Sequence, residues 1–297
     1  MKKLTNKIAL GTANFGLDYG ISNLNGQLSE NQIHKILNFA SSSGITDVDT
    51  APSYGHSEEV IGKFSASTLN IVTKLDRIPE DLSNIPLYIE EQLNKSLKLL
   101  NRQNIYGLLL HSPNQLTGPI GSKIIETLDF LKTTGRIQKV GISIYSPEIL
   151  DSIWNQFIPD IVQAPFNLFD QRLLNNEWVK KLISEDVEIH LRSAFLQGLL
   201  TKPINTLPAK FSRWQHHFVE LEKWQTKTDL SRVELALRFC LSQSWANKVI
   251  VGVDTVEQLV NLIALANSDT PMPKLPKTLI GGVNDNLLID PVNWGSL

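Results

Sequence analysis

The chain has 297 residues, of which 42% are hydrophobic and 20% are charged, and its formal net charge is −2. This near-neutral balance argues against a polyanionic partner, so we do not expect nucleic-acid binding. The only cysteine, Cys240, excludes a disulfide framework and a cysteine-based zinc site, and it favours a reducing compartment.

We do not expect the N-terminal residues to form a targeting signal. Lysines precede a short apolar stretch, but Asn6 and Lys7 interrupt it, and residues 8–11 are too few for the core of a signal peptide. The sequence also contains no run of about 18 uninterrupted apolar residues, the length that a membrane span needs. We therefore expect a soluble, cytoplasmic protein with no membrane partner, and the sequence does not predict its oligomeric state.

Eight strand-like apolar runs alternate along the chain with helix-like stretches. The runs are 7–11, 44–49, 70–74, 105–111, 139–143, 160–164, 187–193 and 247–252. The clearest helical stretches are 29–44, 87–101, 122–135, 146–157, 231–243 and 255–267, and their predicted starts include Ser29, Ser146 with Pro147, and Thr255.

This strict alternation predicts the fold class. Eight strands with helical crossovers in a chain of this length favour one α/β domain, a (β/α)8 TIM barrel, over an open doubly wound sheet. The segment GTANFG after the first run also lacks the three-glycine spacing of an open dinucleotide-binding fold. Two longer irregular stretches, 195–213 and the tail from about 267 to 297, are expected to lie over the catalytic rim.

Four titratable side chains stand at the ends of three consecutive strands. Residues 45–62 read ITDVDTAPSYGHSEEVIG, in which the strand ends on Asp49 and the following turn carries Tyr54. The next two runs end on Lys74 and His111. Singly, each has an ordinary structural interpretation, such as a turn cap or a solvated strand end. Because the carboxyl ends of barrel strands share one face, the four together favour a catalytic proton relay.

The sequence resembles the aldo-keto reductases over nearly its whole length. The most specific segment is DTAPSYGHSE, and the segments LGTANFG, LLLHSP, VGIS, VQAPFNLFDQR, RSAFLQGLL and VIVGVDTVEQL agree in order and spacing. The resemblance implies a (β/α)8 barrel that reversibly reduces a small carbonyl compound to an alcohol. It also implies NADPH/NADP+ as the cofactor, with NADH possible.

The resemblance assigns a catalytic role to each of the four residues. Tyr54 would donate a proton to the carbonyl oxygen. A free phenol has a pKa of about 10, and the neighbouring ammonium of Lys74 would stabilise its phenolate. Asp49 would keep Lys74 protonated, because a lone buried ammonium is unfavourable. His111 would orient the carbonyl through a hydrogen bond, and no metal is expected.

The resemblance also implies which residues hold the cofactor. Ser143 and Gln163 would bind the nicotinamide carboxamide, although Ile144 stands where the family often has asparagine. Arg192 would stack on the nicotinamide, with an ion pair across the barrel rim as the open alternative. The full set of expected contacts is Gly11, Thr12, Asp49, Ser143, Gln163, Arg192, Ser193, Leu196, Gly198, Leu199, Gly252, Val253, Asp254, Thr255 and Gln258.

The segment after the eighth strand departs from the family pattern. Residues 252–258 match the segment that holds the adenosine 2'-phosphate at a helix start, which is a suitable anion site. However, Asp254 stands where a lysine is frequent, and Leu262 replaces the usual asparagine. We therefore expect weaker discrimination in favour of NADPH than the resemblance implies.

Two other functions stay open at this point. In a class I aldolase-type barrel, Lys74 would form a Schiff base and Tyr54 would shuttle protons. A catalytically slow, nicotinamide-binding redox-sensing subunit would keep the same four residues. The cofactor-like segments after strands five, seven and eight favour a nicotinamide enzyme over an aldolase. Substrate identity depends on residues 112–121, on 195–213 and on the tail, and it is not predicted.

Overall fold

The structure is a closed barrel of eight parallel strands in which each strand pairs with the next along the chain. The computed structural model describes residues 4–21, 23, 26–64, 69–174 and 176–296. The strands are β1 (Ile8–Gly11), β2 (Asp47–Asp49), β3 (Asn70–Leu75), β4 (Ile105–Leu110), β5 (Ile137–Ser143), β6 (Ile161–Pro165), β7 (Glu188–Arg192) and β8 (Lys248–Val251). Because β8 pairs with β1, the sheet closes on itself. The predicted (β/α)8 barrel is confirmed.

Helices cover the outside of the barrel and occupy its loops. They are α1 (Ala13–Gly16), α2 (Glu30–Ser42), α3 (Ser57–Lys63), α4 (Ile85–Leu99), α5 (Gly121–Thr133), α6 (Glu148–Ile153), α7 (Trp178–Ser184), α8 (Gln215–Thr228), α9 (Arg232–Leu241), α10 (Val256–Ala266) and α11 (Asn286–Ile289). The predicted caps Ser29 and Thr255 are confirmed, since their side chains accept hydrogen bonds from the backbone N–H groups of Gln32 and Gln258. Among the described residues, none of these helices is long and apolar enough to cross a membrane.

Several predicted boundaries differ from the structure by two or more residues, and local hydrogen bonding or capping accounts for three of the differences. β2 begins at Asp47 and not at residue 44, because Ile45 donates its N–H back to Ala40 and completes the end of α2. α4 begins two residues early, at Ile85, because the side chain of Asn84 caps it. α6 begins at Glu148, and the predicted Ser146–Pro147 start supplies no side-chain cap, since Pro147 itself occupies the cap position.

The two stretches predicted to be irregular contain short helical turns. Residues 195–213 include 3-10 turns at Leu196–Thr201, Ile204–Thr206 and Ala209–Trp214, and the tail includes Lys277–Leu279, α11 and Pro291–Ser296. Leu297 lies outside the described residues. Arg172, in the loop after β6, donates to Asp170 at 2.8 Å and to Asp290 at 2.7 Å. This ion-pair network fastens the tail to the loops at the carboxyl ends of the strands.

A polar cluster occupies the opposite, amino-terminal end of the barrel. Glu188 accepts hydrogen bonds from Tyr106 at 2.7 Å and from Lys139 at 2.6 Å, and it lies 3.1 Å from Nε2 of His190. Burial alone would raise the pKa of Glu188, but His190, Lys139 and Tyr106 together lower it to about 2. Side chains at this end of a barrel contribute to stability and not to catalysis.

We therefore expect Glu188 to make the fold sensitive to acid. Because its folded-state pKa of about 2 lies below its ordinary value of 4.5, its contribution is present above pH 4.5 and is lost as the pH falls toward 2. A shift of this size corresponds to about 3 kcal/mol. Urea unfolding at pH values on both sides of 4.5 should show a flatter pH dependence for Glu188→Gln than for the parent.

The matched control for this prediction is Glu177→Gln. Glu177 is 83% exposed, and its one ion pair among the described residues is with the exposed Lys180, so its loss should leave the parent's pH dependence unchanged. If the free energy of unfolding depends on pH in the same way in the parent and in Glu188→Gln, Glu188 does not make the fold sensitive to acid.

Candidate active site

A cavity of about 580 Å³ opens at the carboxyl ends of the strands. This volume lies in the range of small-molecule and cofactor sites. The predicted site residues that line it are Gly11, Thr12, Asp49, Tyr54, His111, Ser143, Gln163, Arg192, Ser193, Gly198, Gly252, Val253, Asp254 and Gln258. Pro291 and Val292 of the tail line it as well.

Four of the predicted site residues do not line this cavity. Leu196 and Leu199 are fully buried and pack in the hydrophobic core. Thr255 caps the start of α10 with its side chain. Lys74 lies beneath the cavity, where only 2% of it is exposed.

The ammonium of Lys74 is the centre of the site. Its Nζ donates to Oδ1 and Oδ2 of Asp49, both at 2.9 Å, and to the carbonyl oxygen of Thr50 at 2.9 Å. The same atom lies 4.8 Å from the ring centroid of Tyr54. Burial alone would lower the pKa of Lys74, but the Asp49 carboxylate and the Tyr54 hydroxyl raise it above its ordinary value. Lys74 is therefore a fixed positive charge next to a phenol.

Two glycines allow the loop that carries Tyr54 to approach the first loop closely. A Cβ at Gly16 would lie 1.8 Å from the carbonyl oxygen of Tyr54, and one at Gly55 would lie 2.4 Å from the carbonyl oxygen of Gly16. Gly55 also has a φ of 61°, in the left-handed region that favours glycine. A side chain at either position would force the two loops apart and move Tyr54.

Buried hydroxyl groups hold the base of the same loop. Ser57 donates to Thr12 at 2.8 Å and lies 3.1 Å from the hydroxyl of Thr50, while Thr12 donates to the carbonyl oxygen of Asp49 at 2.9 Å. The network joins the first turn of α3 to the ends of β1 and β2. It explains in physical terms why a serine follows Tyr54 at this spacing.

His111 lines the cavity and pairs with an acidic residue. Its Nδ1 lies 3.2 Å from Oδ1 of Asp76, and 27% of its side chain is exposed. If Nδ1–H donates to Asp76, a neutral ring leaves Nε2 as an acceptor. Only the doubly protonated imidazole could then donate from Nε2 to a carbonyl oxygen.

Ser143 and Gln163 interact with each other and with Asp49. The amide nitrogen of Gln163 donates to Oδ1 of Asp49 at 2.6 Å, and the Ser143 hydroxyl donates to Oε1 of Gln163 at 3.3 Å. Both residues are buried and line the cavity. Asp49 is thus held by donors from β3 and β6, which fixes its position beside Lys74.

Arg192 is the only lysine or arginine among the described residues that line the cavity. Its guanidinium donates to the carbonyl oxygen of Ile144 at 3.0 Å and to the Ser193 hydroxyl at 3.3 Å, and it lies 4.8 Å from the ring centroid of Tyr145. No carboxylate of the described residues lies within 4.0 Å of it. The alternative prediction of an ion pair across the rim is therefore wrong.

The end of the cavity next to β8 is rich in hydrogen-bond acceptors. Oδ1 of Asp254 accepts from Nδ2 of Asn14 at 3.0 Å, and the half-buried Asp254 lines the cavity. The backbone N–H of Asp254 donates to Oε1 of Gln258 at 2.7 Å. No lysine or arginine of the described chain lines this end.

Several residues line the cavity that were not among the predicted site residues. They are Asn14, Tyr19, Tyr145 and Asn261. Burial and the neighbouring Tyr54 raise the pKa of the Tyr19 phenol, while Arg192 and a hydrogen bond with Gln197 oppose that shift. Tyr19 and Tyr145 both line the cavity, and Tyr145 packs against Arg192. Asn261 lies one position before Leu262, the position at which the resemblance implies an asparagine.

In the described ranges, no His, Cys, Asp and Glu side chains form a group of three or more that could hold a metal ion. The side chains gathered at the cavity are a phenol, a carboxylate and an imidazole, with an ammonium beneath them.

Comparison with known proteins assigns the family. Residues 7–271 match the model of the aldo/keto reductase family. The aldo-keto reductase YhdN of Bacillus subtilis is 27% identical over 245 residues, covering 73% of each chain. D-arabinose 1-dehydrogenase of Saccharomyces cerevisiae is 24% identical over 259 residues, covering 76% of this chain and 74% of that protein.

Among solved structures, the chain resembles the holo form of aldo-keto reductase AKR11C1 from Bacillus halodurans. The TM-score is 0.71 at 22% identity, and the match covers 90% of this chain and 88% of the other. At this level of identity the comparison supports the barrel fold.

Proposed function

This chain belongs to the aldo/keto reductase family, and we propose that it reduces an aldehyde or ketone to an alcohol, reversibly, with a nicotinamide cofactor. The observation that carries the proposal is the buried Lys74 ammonium, bound to Asp49 and placed 4.8 Å from the ring of Tyr54 below a cavity. A carbonyl reduction needs an acid at the oxygen, and this arrangement provides one.

Four residues have separate roles in protonating and orienting the carbonyl oxygen. Tyr54 donates the proton, and the positive charge of Lys74 stabilises the phenolate that remains. Asp49 keeps Lys74 charged through two contacts of 2.9 Å. His111, when doubly protonated, donates a second hydrogen bond that orients the carbonyl. When bound, the reduced nicotinamide would supply the hydride to the carbonyl carbon.

The same geometry argues against the aldolase alternative. A Schiff base requires a neutral, accessible amine. Lys74 is 2% exposed, its Nζ donates to three oxygen atoms, and its pKa is raised. These features favour a permanent charge over a nucleophile.

The cavity also fits a dinucleotide. It extends from Tyr54 and His111, at the ends of β2 and β4, to Asp254 and Gln258, next to β8. Gly252 leaves this end open, since a Cβ there would meet no atom closer than 3.8 Å. Ser143 and Gln163 would face the nicotinamide, and the planar guanidinium of Arg192, which also lines the cavity, would contact the nicotinamide or the substrate.

We propose that NADPH is used with weak preference and that NADH is an effective alternative. A 2'-phosphate carries close to two negative charges, and the β8 end offers the carboxylate of Asp254 without a lysine or arginine of the described residues. Like charges within about 5 Å are unfavourable even at an effective dielectric near 20. An acidic side chain can instead accept hydrogen bonds from ribose hydroxyls.

Replacing Asp254 by lysine should therefore change the cofactor preference. We expect Asp254→Lys to strengthen NADPH binding by about 1 kcal/mol or more, while NADH binding weakens or stays the same. Fluorescence titration at low salt gives both dissociation constants. Glu257→Lys is the matched control, because it makes the same charge change at an exposed position that does not line the cavity. Equal NADPH dissociation constants in the parent and the Asp254 variant would remove Asp254 from the cofactor site.

The function itself is tested by a panel of aliphatic and aromatic aldehydes and ketones, assayed with both NADPH and NADH. We expect oxidation of the cofactor together with formation of an equal amount of alcohol for at least one class of carbonyl. Tight cofactor binding with negligible turnover across the whole panel would instead favour a redox-sensing subunit.

A further inference from the structure

Asn14, in the short helix after β1, has one buried atom whose bonding is incomplete. The side chain is 4% exposed and lines the cavity. Both hydrogens of its Nδ2 are used, by the carbonyl oxygen of Val253 at 2.7 Å and by Oδ1 of Asp254 at 3.0 Å. Its own Oδ1 is buried and accepts no hydrogen bond from the described residues.

The orientation of this amide is fixed by its neighbours. Rotating the amide by half a turn would place Oδ1 against the two acceptors on Val253 and Asp254, so the observed orientation is strongly favoured. Oδ1 then lies beside Gly252, at 3.9 Å from the position that a Cβ would take. Glycine leaves that space free. A buried acceptor without a donor is unfavourable, and buried polar groups in native proteins almost always find a partner.

We infer that Asn14 is a cofactor-binding residue whose Oδ1 accepts a hydrogen bond from a ribose hydroxyl of the bound dinucleotide. This inference rests on the proposed function and adds a contact that selects a hydroxyl. The missing partner must be a donor, and phosphate oxygens at neutral pH only accept hydrogen bonds. The adjacent carboxylate of Asp254 reinforces the choice, because it too repels a phosphate and accepts from a hydroxyl.

The other donors of a nicotinamide dinucleotide fit this position less well. The carboxamide is expected at Ser143 and Gln163, which lie on β5 and β6, whereas Asn14 lies between the ends of β1 and β8. The adenine amino group is the remaining donor, and an analogue can distinguish it from the ribose.

The test measures the coupling between the Asn14 side chain and a ligand hydroxyl. Dissociation constants are measured for NADH and for two analogues, each of which lacks the hydroxyls of one ribose, with the parent and with Asn14→Ala. In the parent, one analogue should bind about five-fold or more weakly than NADH, in line with a single hydrogen bond. In the variant, the penalty for the same analogue should be about five-fold smaller than in the parent, and what remains reflects other contacts of that ribose such as Asp254.

A general loosening of the loop in the variant would weaken the binding of all ligands, but it would not change the difference in affinity between NADH and its analogue. If Asn14→Ala does not fold, as judged by its thermal unfolding, Asn14→Leu replaces it, since leucine keeps the volume and removes Oδ1. Equal penalties in parent and variant for both analogues would overturn the inference. Nicotinamide hypoxanthine dinucleotide lacks the adenine amino group. If its penalty relative to NADH is the only one that differs between parent and variant, the partner of Asn14 is the adenine amino group, and the inference is also overturned.

The two proposals fail in different ways. A parent protein that binds neither NADH nor NADPH would contradict the proposed function itself. A parent that binds them with no coupling to Asn14 would overturn only the role of Asn14.

Discussion

Replacing Tyr54 by phenylalanine is expected to reduce carbonyl reduction by about 100-fold or more, which is the usual contribution of a general acid. The change removes only the hydroxyl, while the ring can keep its place 4.8 Å from Nζ of Lys74. Cofactor binding should therefore stay within about two-fold of the parent, since a general acid acts mainly in the transition state. Steady-state turnover and a cofactor titration measure the two effects separately.

Tyr145→Phe is the matched control for this variant. It removes a phenolic hydroxyl from the same cavity, but Tyr145 packs against Arg192 and not against Lys74. We expect it to lose less than about ten-fold in turnover, below the usual range for loss of a general acid. If Tyr54→Phe keeps a tenth or more of the parent turnover when chemistry is rate-limiting, Tyr54 is not the proton donor.

Replacing Lys74 by methionine should shift the pH–rate profile to higher pH or abolish activity. The raised pKa of Lys74 keeps its charge in place at neutral pH, and that charge favours the phenolate of its neighbour. Methionine has a similar length and no charge. Asp49→Asn should act in the same direction but less severely, because Lys74 would keep its contact with the carbonyl oxygen of Thr50.

This prediction needs a check on folding, because the change leaves the carboxylate of Asp49 buried with Gln163 as its remaining side-chain donor. Thermal unfolding of both variants provides that check. A folded Lys74→Met protein with the rate and pH–rate profile of the parent would contradict the proposed relay. In the parent, borohydride reduction with a carbonyl substrate should leave no adduct on Lys74 in the mass spectrum.

The barrel was predictable because its signal is repeated. Eight apolar runs separated by amphipathic stretches leave few topologies open, and a parallel barrel places every strand end on one face. The juxtaposition of Asp49, Lys74 and Tyr54 follows from that rule once the strands are identified. Errors occurred where local hydrogen bonds decide the boundary, as at Ile45, which completes the end of α2.

The loop residues of the site could not be predicted in the same way. Asn14 and Tyr19 follow β1, where no periodicity indicates the direction of a side chain. Their position depends on the close packing of Gly16 against the Tyr54 loop and on the hydrogen bond from Asn14 to Val253. The orientation of Asp254 was likewise open, because a residue before a helix can face solvent or its neighbours. The hydrogen bond from Asn14 holds the Asp254 side chain at the edge of the cavity.

The most direct test of the central proposal follows the hydrogen that reaches the carbonyl carbon. The parent enzyme is incubated with a reactive aldehyde from the panel and with NADPH or NADH that carries deuterium at the transferable position of the nicotinamide, and the alcohol is examined by mass spectrometry. We expect one deuterium on the carbinol carbon, with the hydroxyl hydrogen derived from solvent by way of Tyr54. Alcohol without deuterium, or a carbonyl adduct on Lys74 in place of alcohol, would contradict the proposal.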